Sequence, residues 1–101
     1  MFIYNVTIKL KESIHTDWLI WLKEEHIPDV LNTGCFSTAQ VLRLLEIDDS
    51  EGPTYAIQYK TENNSNYQLY LDNYASALRE KSYVKWGDQF IAFRSFMEVV
   101  N

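Results

Sequence analysis

A chain of 101 residues can build one hydrophobic core, burying about two-thirds of its extended surface, and is expected to form a single domain over residues 1–101. Its formal charge of −5, with 9 Lys+Arg against 14 Asp+Glu and no basic block, argues against nucleic acid and anionic membrane surfaces as partners, because both require clustered cations. The one cysteine, Cys35, excludes an internal disulfide, and the opening MFIYNVTIKL reads as neither signal peptide nor membrane span, so a cytoplasmic location is expected.

In chain order, Phe2 to Leu10 alternates, with Phe2, Tyr4, Val6, Ile8 and Leu10 on one face, and predicts a strand with one dry side. A polar link leads to Thr16 or Asp17 as N-cap of a helix running to Leu31. Leu19, Leu22, His26 and Val30 share one stripe of that helix, flanked by Trp18 and Trp21, so a histidine stands where an apolar residue is expected. Pro28 lacks an N–H and predicts a kink or restart near Ile27, with freed carbonyls close to His26. Thr33-Gly34 ends the helix through a left-handed cap, and Cys35 to Ile47 reads as a second strand. After the acidic segment Asp48 to Glu51, Gly52-Pro53 closes a turn into a third strand, Pro53 to Thr61, that completes a hairpin.

Ser65 and Gln68 have the spacing of a capping box and open a second helix whose inner stripe is Tyr67, Leu71, Tyr74 and Leu78. Arg79, Glu80 and Lys81 mark its wet side. A further short turn carries Tyr83, Val84 and Trp86 to Gly87, and Phe90 to Val100 is the last strand. The order β-α-β-β-α-β predicts an α+β, ferredoxin-like sandwich: a four-stranded antiparallel sheet with two helices on one face. The other face is then bare, and apolar residues on both sides of the strands predict that two copies pack their sheets together as a homodimer. Rings make up 15% of the chain, more than so small a core comfortably hides, and the excess is expected at a subunit contact or in a ligand cavity.

IYNVT at Ile3 to Thr7, HIPDVL at His26 to Leu31, GCF at Gly34 to Phe36, TYAIQY at Thr54 to Tyr59 and AFRS at Ala92 to Ser95 together resemble a small bacterial family of uncharacterised proteins. That family belongs to the dimeric α/β-barrel group, which is ferredoxin-like and antibiotic-monooxygenase-like. The resemblance covers essentially the whole chain and implies the sheet-to-sheet dimer. It implies no particular reaction, since the wider group includes cofactor-independent monooxygenases, haem-degrading enzymes and lactone isomerases. Where relatives are expected to carry a histidine near the end of the second helix this chain has Ser82, which counts against a mechanism needing two histidines there.

His26 is the leading candidate for acid/base chemistry, with a core histidine hydrogen-bonded to a carbonyl freed by Pro28 as the structural alternative. His15, in the polar link, reads as exposed. Asn5, Gln58 and Arg94 are the polar minority of the sheet. If the first and third strands pair centrally and the fourth flanks the first, they can share a face and bind a carboxylate or enolate, or else form a buried hydrogen-bond network. Trp18 and Trp21 are candidate ligand contacts or core. Gln40 and Arg43 cannot face the same way, and the roles of Arg43, Arg79 and Cys35 stay open, an inert buried thiol being favoured for Cys35. No metal-ligand spacing, phosphate loop or nucleophile elbow is present, so no cofactor is expected. Two readings from different classes result. One is a homodimer binding an aromatic or acidic small molecule, with cofactor-independent oxygenase- or isomerase-like activity. The other is a non-catalytic interaction or sensor module whose aromatic surface is the dimer contact. Haem binding or degradation, with His26 as axial ligand, is a third.

Overall fold

The computed structural model describes residues 1–101 and contains four strands, β1 (Phe2–Leu10), β2 (Thr38–Arg43), β3 (Thr54–Thr61) and β4 (Phe90–Glu98). They form one antiparallel sheet in the order β2-β3-β1-β4. The helical segments are α1 (His15–Trp21) and α2 (Ile27–Leu31) between β1 and β2, and α3 (Asn64–Asn73) and α4 (Ala75–Trp86) between β3 and β4. This is the ferredoxin-like α+β arrangement.

Register sets the two faces of the sheet. Tyr4 pairs with Tyr59 and Phe96, and Val6 with Ile57 and Arg94, so this set lies under the helices. There Tyr4, Leu10, Ile57 and Tyr59 pack with Trp18, Leu22, Val30, Tyr70, Leu78 and Trp86 as one core. Much of the ring surplus goes into this core. Tyr4 lies 5.8 Å from Phe36, 5.9 Å from Tyr59 and 5.6 Å from Tyr70, ring centre to ring centre. The opposite face is uncovered, and on it Ile91, Phe93, Met97 and Leu42 are exposed.

The first helical stretch is continuous from His15 to Leu31, with a wide π-turn at Leu22–His26 where a kink is expected. Pro28 cannot donate to the carbonyl one α-turn back. The backbone widens instead, and the Ile27 N–H reaches the Leu22 carbonyl. His26 closes the π-turn. The helix enters from a 3-10 turn (Glu12–Ile14) with no side-chain cap, so neither Thr16 nor Asp17 serves as N-cap.

Other boundaries depart from the sequence reading for identifiable reasons. β2 is shorter than Cys35–Ile47: Cys35 and Phe36 are buried in the link before it, and Glu46 at φ 58° breaks the extended chain after it. Asn63, not Ser65, caps α3. Its Oδ1 accepts from the Asn66 N–H at 2.9 Å and from the Ser65 hydroxyl at 2.7 Å. Tyr74, at φ −128° and ψ −34°, interrupts the second helical stretch, although its N–H still reaches the Tyr70 carbonyl and its carbonyl accepts from the Leu78 N–H. Tyr74 is exposed, and Tyr70, one turn earlier, is the buried residue instead. The expected short turn after the second helix is part of α4, which runs to Trp86 and stops at Gly87, whose φ of +61° suits glycine. No helix is long and apolar enough to cross a membrane.

Candidate functional site

A cavity of about 40 Å³ lies between the helix-covered face of the sheet and the helices. Four parts of the chain build its polar wall. The π-turn delivers His26, α4 delivers Arg79 and Ser82, and the strands deliver Tyr4, Tyr59 and Arg94. Tyr70 of α3 joins them.

The His26 ring stacks on Trp21, with centres 4.8 Å apart and planes within 23°. Trp21 is in turn backed by the Trp86 edge at 5.8 Å. Burial lowers the His26 pKa to about 4; Asp29 pulls it back up, while Arg94 and Lys81 push it down. The imidazole is neutral at pH 7. No hydrogen bond contributes to this shift, and stacking positions the ring, in place of the expected bond to a freed carbonyl. Asp29 is itself engaged with Lys81 of α4 at 3.3 Å.

The cavity has two cations and no carboxylate among its fourteen lining residues. Arg79 donates to the Tyr4 hydroxyl at 3.2 Å, and its Nε is buried with no partner. Neither Arg79 nor Arg94 forms an ion pair, since the chain's three pairs are His15–Glu12, Arg43–Asp49 and Lys81–Asp29. Burial would lower the Arg79 pKa, but the Tyr4 hydroxyl and the neighbouring tyrosines outweigh it and leave it raised. Burial also raises Tyr59 and Tyr70 above the usual phenol range, so both stay protonated. The resulting wall consists of two guanidinium groups, neutral phenols and a neutral imidazole.

Pairing separates the three polar sheet residues expected to converge. Asn5 lies opposite Gln58 and Ser95 on the uncovered face, whereas Arg94 lies opposite Val6 on the helix face. With no bulge in β4, residues 94 and 95 must point to opposite sides. Asn5 bonds to Thr7 at 3.0 Å, to Ser95 at 3.4 Å and to Gln58 at 3.3 Å, within a row that Gln40 extends on β2. Arg43 falls on the helix side opposite Tyr55, so Gln40 and Arg43 do face opposite ways. Trp18 is a core residue 5.7 Å from Tyr55 and does not line the cavity; Trp21 reaches it only through His26.

His15 is half-buried, not free in solvent, and its Nε2 lies 2.7 Å from the Tyr55 hydroxyl. Cys35 is buried. The fold gathers no group of three or more His, Cys, Asp or Glu able to hold a metal ion. Arg79, read from the sequence as wet, turns inward. Ala75, Leu78, Ser82 and Trp86 recur at helical spacing, and Arg79 falls on that same stripe. A larger open groove of about 520 Å³ at the end of β1 and β4 mixes Lys9 and Lys11 with Glu12, Glu51 and Asp88, and lacks convergent chemistry.

Fold and cavity together define a ferredoxin-like α+β protein with a small cationic chamber between sheet and helices. The chain belongs to the family described as a domain of unknown function, DUF4286, which matches residues 1–100. No curated protein matches it. Among solved structures, a dimeric ferredoxin-like protein from an uncultured marine organism superposes with a TM-score of 0.73 at 11% identity, covering 99% of this chain and 95% of that one. A mutant of SnoaB, a cofactor-independent oxygenase from Streptomyces nogalater, gives 0.67 at 10% identity over 99% and 94%. A mutant of MhuD, with two manganese protoporphyrin IX bound per active site, gives 0.63 at 16% over 98% and 95%. At these identities the likeness establishes the fold.

Proposed function

We propose that the protein is a homodimeric small-molecule-binding protein whose site is the chamber around His26, with isomerase-like or cofactor-independent oxygenase-like chemistry as the reaction class to test. One observation carries this reading: a histidine held neutral by burial lines a cavity and is fixed by stacking on Trp21, so its ring nitrogens are free for a ligand. With a pKa near 4 the imidazole is a weak base, suited to accept or share a proton once a ligand changes its surroundings. Of the anchors read from the sequence, Arg94 is on the cavity side. Asn5 and Gln58 belong to the proposed subunit contact, where Leu42, Ile91, Phe93 and Met97 are exposed.

That exposed apolar face also supports the second reading, an interaction or sensor module with no ligand of its own. The chamber's volume of about 40 Å³, against roughly 300–1,000 Å³ for drug-sized sites, favours a small ligand group over haem. A thermal-shift screen of metabolites on the wild-type chain and His26→Ala separates the first two. A ligand at a hundred times its Kd stabilises the native state by about 2.7 kcal/mol, raising Tm on the order of 10 °C, and His26→Ala is expected to abolish most of that rise. A screen with no hits, or hits indifferent to His26→Ala, favours the interaction module.

A further inference from the structure

We infer that the chamber receives the negatively charged end of its ligand, a carboxylate held between the guanidinium groups of Arg79 and Arg94; this rests on the chamber being a binding site. The chain carries a formal charge of −5, yet the cavity between sheet and helices has two arginines on its wall and no acid. An acidic protein that places two cations on one cavity wall, neither in an ion pair, leaves charge that a bound anion would satisfy locally. The Arg79 Nε is buried without a partner, and buried donors are rarely left so unless something else completes them. The rest of that guanidinium is already oriented, since one Nη donates to Tyr4 at 3.2 Å and holds the fork in place.

Size narrows the choice. A cavity of about 40 Å³ holds on the order of three water molecules, which matches a carboxylate with its first carbon. A planar carboxylate also has the geometry that guanidinium forks grip in bidentate fashion. The sheet register puts Arg94 on the side away from the proposed contact with a second copy. Arg94 projects on the helix side, opposite Val6, while the face available to another copy is the one bearing Asn5, Gln58 and Phe93. Bound there, the anion would sit in the space that His26 also lines, which ties recognition to the imidazole.

The test uses acetate and its neutral isostere acetamide on the full chain at constant pH and ionic strength, following the His26 ring resonances by NMR and the melting temperature. Acetate is expected to shift the His26 signals saturably and to raise Tm; acetamide is expected to do neither. Arg79→Gln and Arg94→Gln should each weaken acetate at least ten-fold, as loss of one charge-assisted contact does, while Arg79→Lys, which keeps the charge, should recover part of the loss and guards against a misfolded Gln variant. Equal effects of acetate and acetamide, or titrations unchanged by all three variants, overturn the assignment. If acetate leaves His26 unmoved but a neutral compound from the metabolite screen shifts it, the anion assignment falls and the binding site stands. If nothing shifts it, both fall.

Discussion

His26 changes its protonation on unfolding, and that fixes a pH dependence. Folded, its pKa is about 4; unfolded, it returns to 6.5, so the unfolded chain takes up the proton first as pH falls. The stabilisation is complete above pH 6.5 and is lost progressively down to about pH 4. The shift corresponds to roughly 2–3 kcal/mol once its partial exposure is allowed for. Urea unfolding of the wild type at pH 7 and pH 4 should therefore show a loss larger by about that amount than the loss in His26→Gln, which cannot titrate. Equal losses in the two proteins would mean that the ring is hydrated in the native state. The sequence marks His26 by its place on an apolar stripe, but the stacking on Trp21 and the opposing pulls of Asp29 and Arg94 come from separate elements. Arg79 is the converse case: between Leu78 and Glu80 it reads as surface, yet it lies four residues after the buried Ala75 and lines the chamber.

At the level of elements, helix ends are decided by which side chain reaches the free N–H groups first. Ser65 and Gln68 have the spacing of a capping box, yet Asn63 lies in extended backbone (φ −143°) and its short amide accepts from Asn66. Asn63→Ala is expected to cost about 1 kcal/mol in chemical denaturation, and Gln68→Ala, with no cap to lose, no more than a few tenths. The reverse order would restore the capping-box reading. Gly52 shows a tighter constraint. A Cβ there would meet the Leu10 carbonyl oxygen at 1.8 Å, because the turn packs against the end of β1, where the Glu12 N–H bonds to the Glu51 carbonyl. The π-turn before Pro28 is the element that matters most for the site. The proline is visible in the sequence, but whether the helix kinks or widens depends on keeping Trp21, Leu22 and Val30 buried on both sides of it.

For the whole molecule, the uncovered sheet face is the surface on which the proposed homodimer depends. Ile91 is 74% and Phe93 64% exposed on an edge strand, beside the polar row of Gln40, Gln58, Asn5 and Ser95. In the proposed homodimer a two-fold axis brings each such residue near its own copy, so a charge introduced there is counted twice. Phe93→Glu is expected to convert the dimer to monomer in sedimentation equilibrium at micromolar concentration, with the far-UV circular dichroism unchanged because the helix-side core is untouched. A wild type that sediments as a monomer would remove the dimer from the account.

The sequence by itself determined the strand and helix order, the helix-side core of β1 and β3 and the place of His26 on the inner stripe of its helix, because alternation and helical spacing are local and survive in one dimension. The tertiary structure decided which polar residues meet. Moving one position along a strand reverses a side chain's face, so Arg94 and Asn5 separate on pairing, and Arg79, at the rim of the helix's inner stripe, reaches the chamber only through the way α4 packs on the sheet. Both outcomes depend on register and helix packing, which are set by the fit of distant surfaces and leave no local mark in the chain.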